Sequence, residues 1–473
     1  MLGMQKLISV ALDVPINQLF DYIVENQDIK IGCRVKVPFG SSTRTGIIVE
    51  TKKLNAGQTA YKIKNIHKVL DESRVLSTEM METCKWAATY YHYPIGQVLF
   101  NALTPIHRKG SPSPDRKLIF NEKSSKFQLK LNEEQSEVVI DIYKNIKQHQ
   151  VHLLKGVTGS GKTEVYTQLA IDLLQSDAQV LIMVPEINLT PQTVNRFKKY
   201  LDLEPLEYHS NLTPLQKFKV WRACKEEDRL IIIGTRSSVF LPFQNLKLLV
   251  IDEEHDQSYK QTEKFKYNAR DIGIVRSKSL DCPVVLGTAT PSFETIHNVS
   301  IKKYKQHLLK SRYFKSPLPL VTIVDTSIDK PDEGLSKTLK DEMKIELNKN
   351  NKVILFIGRR GFSNTVICSE CKNIVKCPKC DSNITYHKNV ERLICHHCGF
   401  SQSFDSVKPC CENPCLVPLG IGTQRVENKV KNLFPDKNIL RVDSDNISSK
   451  SDLKDFIKKA NNNEIDIFIG TQM

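Results

Sequence analysis

Residues Val151 to Thr163 read V-H-L-L-K-G-V-T-G-S-G-K-T, and this stretch decides the fold. Its opening, Val151 to Leu154, is a short apolar run that reads as a buried strand. Gly156-x-x-x-x-Gly161-Lys162-Thr163 follows, the P-loop spacing that suits a nucleoside triphosphate. Phosphate oxygens need several backbone N–H groups converging on them, so side chains must stay clear. Gly156, Gly159 and Gly161 allow that. The helix expected next, Lys162 to Leu174, aims its N-terminus at the phosphates. Lys162 is placed to reach the β- and γ-phosphates of ATP, and the Thr163 hydroxyl to bind Mg²⁺.

A second apolar run, Leu246 to Ile251, ends in Asp252-Glu253-Glu254-His255. An acidic residue at a strand tip beside a P-loop is where Mg²⁺ is held. Asp252 is assigned to the metal and Glu253 to orienting the attacking water. Further strands are expected at Val180 to Val184, Leu230 to Ile233 and Val284 to Leu286. Strands alternating with helices over about Leu131 to Gln306 predict a parallel α/β sheet covered on both faces. Asn132-Glu133-Glu134-Gln135 opens the first helix. Gln135 either reads the adenine or closes a capping box with Asn132. Pro185-Glu186-Ile187, Gly234 to Ser238 and Gly287 to Pro291 fall at carboxyl ends of strands, where such sheets bind ligands. Their small hydroxyl residues suit a sugar-phosphate backbone.

The chain has 473 residues, enough for two to four domains, and a formal net charge of +15. That balance favours a polyanionic partner, nucleic acid first. It disfavours a transport or metabolic ATPase. No apolar run approaches the ~20 residues of a membrane span, and the N-terminus lacks a signal-peptide shape. A cytosolic protein with no membrane partner is expected. Between Tyr259 and Arg270, aromatic and basic residues interleave: Tyr259, Lys260, Lys264, Phe265, Lys266, Tyr267, Arg270. Rings stack bases and cations meet phosphates in single-stranded nucleic acid sites; an ordinary amphipathic loop has the same pattern.

On the N-terminal side, residues 1–106 read as a β-rich domain. Leu7 to Val10, Ile31 to Val37 and Thr45 to Val49 are its strands, Pro38-Phe39-Gly40 is a turn, and a helix runs from Thr78 to Tyr93. Residues 107–129 are a breaker-rich linker, and 130–310 are the nucleotide-binding lobe. A second α/β lobe spans 335–473, with strands at Lys352 to Ile357, Asn438 to Val442 and Ile465 to Ile469. Set into it is a cysteine block, 368–415, holding all but four of the 13 cysteines. Cys368-x-x-Cys371, Cys377-x-x-Cys380 and Cys395-x-x-Cys398 have thiolate-ligand spacing. With Cys411 and Cys415 they make eight ligands, enough for two Zn²⁺ ions, and Cys410 is a substitute. The inner pairs, Cys377, Cys380, Cys395 and Cys398, are expected to share one ion. His387, His396 and His397 read as solvent or packing residues.

Taken together, these motifs resemble the PriA family of replication-restart helicases, within superfamily 2. The resemblance rests on Gly156 to Tyr166, Val184 to Gln192, Gly234 to Ser238, Asp252 to Asp256 and Gly358-Arg359-Arg360-Gly361-Phe362, with the CxxC block after them. It runs from about Ser9 to Met473. It implies two RecA-like lobes and an ATP-dependent 3′–5′ DNA helicase of the bacterial cytoplasm that binds stalled forks and loads the primosome. Forked and single-stranded DNA, other primosome proteins and single-stranded-DNA-binding protein are the implied partners. The loop Tyr259 to Tyr267 would couple DNA contact to hydrolysis. Phe20, Asp21, Tyr22 and Lys64 match positions that hold a 3′-terminal nucleotide.

Three features depart from the family pattern. The linker is shorter than the winged-helix domain expected there. The last cysteines run Cys410-Cys411-x-x-x-Cys415 where a CxxC is expected. The sequence ends at Ile469-Gly-Thr-Gln-Met473, where the family pattern continues to a lobe-two arginine. The alternative expectation is therefore a non-catalytic fragment that binds ATP and fork DNA.

Overall fold

The computed structural model describes the chain apart from residues 1–4, 26–28, 54–62, 112–127, 186–190, 314–316, 318, 358–364, 369, 372, 388–391, 396, 404–405, 408–409, 413–415, 420–422, 443–458, 461 and 471–473. Most of the expected linker, Gly358 to Phe362, His396 and Cys415 thus lie outside the described residues. The chain forms two compact units, Met1–Leu318 and Pro319–Met473.

The first unit opens with an antiparallel sheet of β1 (Gln5–Leu12), β2 (Phe20–Glu25), β3 (Arg34–Phe39), β4 (Ser42–Lys53) and β5 (Lys68–Val69), in the order β2-β1-β4-β3-β5. Phe39 pairs with Ser42, leaving a two-residue turn in which Gly40 has a φ of +58°. Only a residue without a Cβ adopts that backbone freely. Alternation along β1 sends Ile8, Val10 and Leu12 into a small core with Tyr22, Val24, Val35, Val37 and Ile48. Ala11, Ile47 and Val49 face the other way. β2 was not foreseen, because Phe20-Asp21-Tyr22 lacks a clean apolar alternation.

Helices α1 (Thr78–Tyr90), α2 (Ile95–Asn101) and α3 (Pro105–Arg108) follow. Ser77 caps α1 by accepting from the Met80 N–H at 3.1 Å. The helix stops three residues short of the expected Tyr93. His92 takes a φ of +51°, and Pro94 disfavours helical geometry at Tyr93 before it.

The nucleotide-binding lobe then runs α4 (Glu133–Lys144), β6 (Val151–Gly156), α5 (Lys162–Leu174), β7 (Gln179–Met183), α6 (Pro191–Lys198), β8 (Leu206–Tyr208), α7 (Pro214–Glu226), β9 (Leu230–Gly234), β10 (Leu246–Asp252), α8 (Ala269–Ser279), β11 (Val284–Thr288), α9 (Phe293–Ser300) and β12 (Lys305–Leu309). Its seven strands are parallel in the order β12-β6-β11-β10-β7-β9-β8. The five continuous apolar runs are the five inner strands. β8 and β12 are the edges; their mixed sequences gave no signal because an edge strand is only partly covered.

No gap separates the first domain from this lobe. One hydrophobic cluster holds Ala11, Met80, Cys84, Leu99 and Phe100 together with Leu153, Leu181, Ile232, Ile251 and Leu286. Arg276 of α8, 1% exposed, pairs with Glu79 of α1 at 2.9 Å and donates to the Val239 carbonyl. Tyr91 Oη accepts from the Asn268 N–H at 3.1 Å.

In the second unit, α10 (Lys337–Asn348) precedes β13 (Val353–Phe356), β14 (Thr365–Cys368), β15 (Thr385–His387), β16 (Arg392–Ile394), β17 (Ser401–Ser403), β18 (Leu416–Leu419), α11 (Thr423–Leu433), β19 (Ile439–Val442) and β20 (Ile467–Gly470). The parallel sheet β13-β20-β19 packs Leu355, Ile467 and Ile469 against Met343, Leu347, Val426 and Val430. An antiparallel ribbon, β14 with β18, leads out to the cysteine block and back.

The Arg276–Glu79 pair gives a first prediction. Glu79→Ala strands a buried guanidinium and should lower stability by about 3–5 kcal/mol in chemical denaturation. Adding Arg276→Met should recover much of that loss. A double variant as unstable as the single one contradicts this account.

Candidate nucleotide site, DNA-facing surfaces and thiolate centres

β6 delivers the chain into the turn at 157–161, where Gly159 and Gly161 have φ of +80° and +84°. A Cβ on Gly161 would collide with the Gln135 amide nitrogen. Of the two readings of Gln135, the capping box is present. Gln135 Oε1 accepts from the Asn132 N–H, and the Gln135 backbone N–H donates to Asn132 Oδ1, both at 2.9 Å, so the capping box exists. Its Nε2 also donates to the Ser160 carbonyl at 3.0 Å. The side chain is fully buried against the loop backbone, so it ties the start of α4 to the P-loop.

Lys162 Nζ donates to the Gly156 carbonyl at 3.2 Å and lies 3.9 Å from Glu253 Oε1. Lys162, Thr163, Asp252 and Glu253 line one cleft of about 620 Å³ with Thr158 to Gly161, Thr193, Arg196 and Phe197. Sheet order explains the meeting: β6 and β10 flank β11, so the P-loop and the acidic tip emerge two strands apart. Asp252 Oδ1 accepts from Tyr166 Oη at 3.1 Å. Burial first, then the charge of Glu253, raises the Asp252 carboxyl to about 6. Glu253 itself sits at φ +47°, a strained conformation that turns the chain at the strand tip.

Glu254 is fully buried and paired. It accepts from Arg270 Nη1 at 2.8 Å and from the Ser292 N–H at 2.8 Å. His255 Nδ1 lies 2.8 Å from Thr288 Oγ1. Tyr166 and Ser292 escaped the sequence reading. For Tyr166 a hint exists in Gly287: a Cβ there would strike the Tyr166 hydroxyl.

The aromatic loop corrects the expectation of stacking rings. Tyr259, Phe265 and Tyr267 are 1%, 3% and 5% exposed. Tyr259 Oη lies 2.6 Å from the Asp252 carbonyl oxygen. Phe265 packs on Tyr91 and Tyr93. Arg270 is engaged by Glu254 and Asp271. The loop folds back, with the Gln261 N–H on the Tyr267 carbonyl, so alternate residues face inward. Lys260, Lys264 and Lys266 remain exposed.

In the first domain, Phe20 packs edge-on to Phe39 at 5.1 Å between centroids. Asp21 is exposed and accepts from the Ser9 hydroxyl at 2.6 Å. The Ile23 N–H donates to the Lys64 carbonyl at 3.0 Å, which sets Lys64 alongside Tyr22 and Ile23 of β2. Arg236, at the end of β9, donates to the Ser258 carbonyl at 2.7 Å.

The cysteines form two groups of four. Cys377, Cys380, Cys395 and Cys398 meet as the spacing suggested. Among the described residues, Cys368 and Cys371 meet Cys410 and Cys411; Cys415 lies outside them. Sulfur–sulfur distances are 3.5 Å and 3.6 Å in both groups. Tetrahedral zinc, with Zn–S near 2.3 Å, requires about 3.8 Å between sulfurs. Four thiols this close fit a zinc ion.

Gln135→Ala should remove the cap and the loop anchor together. A loss of about 1–3 kcal/mol in chemical denaturation is expected. An unchanged midpoint contradicts the assignment.

Comparison with known proteins agrees with this architecture. Residues 9–104 match the family described as 3'DNA-binding domain (3'BD), 132–299 match DEAD/DEAH box helicase, and 377–402 match the PriA DNA helicase Cys-rich region (CRR) domain. The replication restart protein PriA of Haemophilus influenzae is 34% identical, with 99% of this chain and 74% of that protein covered. That of Rickettsia conorii is 38% identical over 97% of this chain and 70% of its own length. That of Bacillus subtilis is 36% identical over 69% and 41%. With its 3′-DNA-binding, helicase and cysteine-rich segments, and relatives matched along nearly its whole length, this chain belongs to the replication restart protein PriA family.

Proposed function

We propose that the chain is an ATP-dependent DNA helicase that moves 3′–5′, recognises stalled or abandoned forks and initiates primosome assembly. The observation carrying this reading is the continuous core between the 3′-DNA-binding domain and the nucleotide lobe. A DNA end gripped by one is held rigidly to the other. The helicase match over 132–299 supports turnover, in preference to ATP binding alone.

In this reading Lys162 and the P-loop N–H groups hold the phosphates. Thr163 and Asp252 would hold Mg²⁺, which when bound neutralises charge on the β- and γ-phosphates. Glu253 orients the attacking water. Phe20, Asp21 and Lys64 hold the 3′-terminal nucleotide, and Lys260, Lys264 and Lys266 present cations to the strand. The two thiolate groups each hold one Zn²⁺. Other primosome proteins and single-stranded-DNA-binding protein are the proposed partners, and the cytoplasm the proposed compartment. Among the described residues no helix is long and apolar enough to cross a membrane.

Unwinding of tailed and forked duplexes tests the reading. The chain should open a duplex with a 3′ single-stranded tail, and Lys162→Ala or Glu253→Gln should slow DNA-stimulated hydrolysis by about 10²- to 10³-fold. Opening from a 5′ tail alone sinks the stated direction, and hydrolysis undiminished in Lys162→Ala sinks the site. Elemental analysis should find two zinc ions per chain, falling to one in Cys380→Ala. Fewer than one in the unaltered chain is incompatible with the thiolate assignment.

A further inference from the structure

Two cations appear in the described lining of the nucleotide cleft, Lys162 and Arg196, with the carboxylates of Asp252 and Glu253. Lys162 belongs to the P-loop. Arg196 comes from α6, whose inner face is fixed: Val194 and Phe197 are buried in the core over one face of the sheet. Those anchors leave Arg196 exposed on the outer side of the helix.

One carboxylate aims the guanidinium. Arg196 Nε and Nη2 both donate to Glu164 Oε1, at 3.1 Å and 2.6 Å. Nη1 takes no part in this pair and keeps two N–H donors. Glu164 follows Lys162 and Thr163 in the first turn of α5. It is largely buried, and among the described residues its Oε2 has no hydrogen-bond partner. An ion pair with so exposed an arginine adds little to stability. What the pair does is hold a guanidinium plane at the rim of the cleft.

Helix geometry gives the direction. Successive residues turn by about 100°, so Glu164 points roughly 200° around α5 from Lys162. Lys162 faces Glu253 at 3.9 Å, the end of the cleft where the attacking water is assigned. Glu164 faces away from that end: a Cβ on Gly161 would stand 3.2 Å from Glu164 Oε2 and would strike the Gln135 amide. Lys162, Thr163 and Asp252 serve the β- and γ-phosphates in the proposed assignment. The α-phosphate is left without a side-chain cation.

We propose that Arg196 binds the α-phosphate of ATP through Nη1, with Glu164 as the residue that orients it. ATP and ADP share this phosphate, and its charge does not change as the γ-phosphoryl leaves. The contact therefore sets nucleotide affinity and leaves the chemical step alone. This inference rests on the ATP reading of the cleft.

The test is calorimetric titration of the full chain with ADP and with a non-hydrolysable ATP analogue, each with Mg²⁺, beside steady-state hydrolysis of ATP. Arg196→Ala should weaken both nucleotides about tenfold, the lower end for a hydrogen bond to a charged group. KM for ATP should rise by a like factor with kcat unchanged. Arg196→Lys, which keeps a charge, should lose less. A loss confined to the ATP analogue, or a fall in kcat at constant KM, puts Arg196 on the γ-phosphate and overturns the proposal. Unchanged ADP affinity in Arg196→Ala reduces the contact with Glu164 to a surface ion pair and overturns it as well. Thermal unfolding of each variant identifies a folding defect. Should Arg196→Ala unfold, Arg196→Gln decides in its place. Failure of the ATP reading is separate: the unaltered chain would bind neither nucleotide.

Discussion

A parallel sheet of wholly apolar strands has two faces, and both must be kept from water. The seven-stranded sheet meets this constraint in two different ways. On one face Leu154, Ile182, Ile233 and Val250 pack under residues of α4, α5 and α6 such as Ile142, Leu169 and Phe197. On the other, Leu153, Met183, Ile232 and Ile251 lie under α7, α8 and residues of the N-terminal domain. The N-terminal domain is part of the cover of the nucleotide lobe. Removing it would expose the apolar face of the seven-stranded sheet. The 3′-DNA-binding domain is thus built directly onto the sheet whose strand tips carry the P-loop and the acidic turn.

Buried charge imposes the next layer of order. Three consecutive carboxylates at the tip of β10 face three environments. Asp252 is half-buried at the cleft wall, and desolvation there, with the charge of Glu253, raises its carboxyl to about 6. Glu253 stays partly exposed, facing Lys162. Glu254 is enclosed and held by Arg270 and Ser292. An enclosed carboxylate without such partners would cost several kcal/mol. The pairing therefore locks the acidic turn to α8 and to the segment after β11. Tyr259 adds a bond from below, to the Asp252 backbone. The rings of the aromatic loop act from inside the protein, as part of the support of the acidic turn.

Local pattern in the sequence was enough for a good part of this. The P-loop, the acidic strand tip, the five inner strands and the CxxC pairs are all set by neighbours within a few residues: glycine spacing, unbroken apolar runs and the chelate geometry of two cysteines. The helix from Lys162 to Leu174 falls where expected because its start is fixed by the phosphate loop. What only the tertiary structure decided depends on partners far away in the chain. The edge strands β8 and β12 take their form from neighbours rather than from their own residues. Gln135 reads from its spacing as either a cap or an adenine contact, and only the approach of the Ser160 carbonyl shows its bond to the loop. The alternation Phe265-Lys266-Tyr267 fits an exposed stacking surface or a half-buried loop equally well; Tyr91 and Tyr93, far along the chain, select the second. Among the described residues Cys410 and Cys411 come to Cys368 and Cys371 through the fold of the block, which the spacing alone left open. A sequence fixes what each residue can bond to, and packing fixes which of those bonds is within reach.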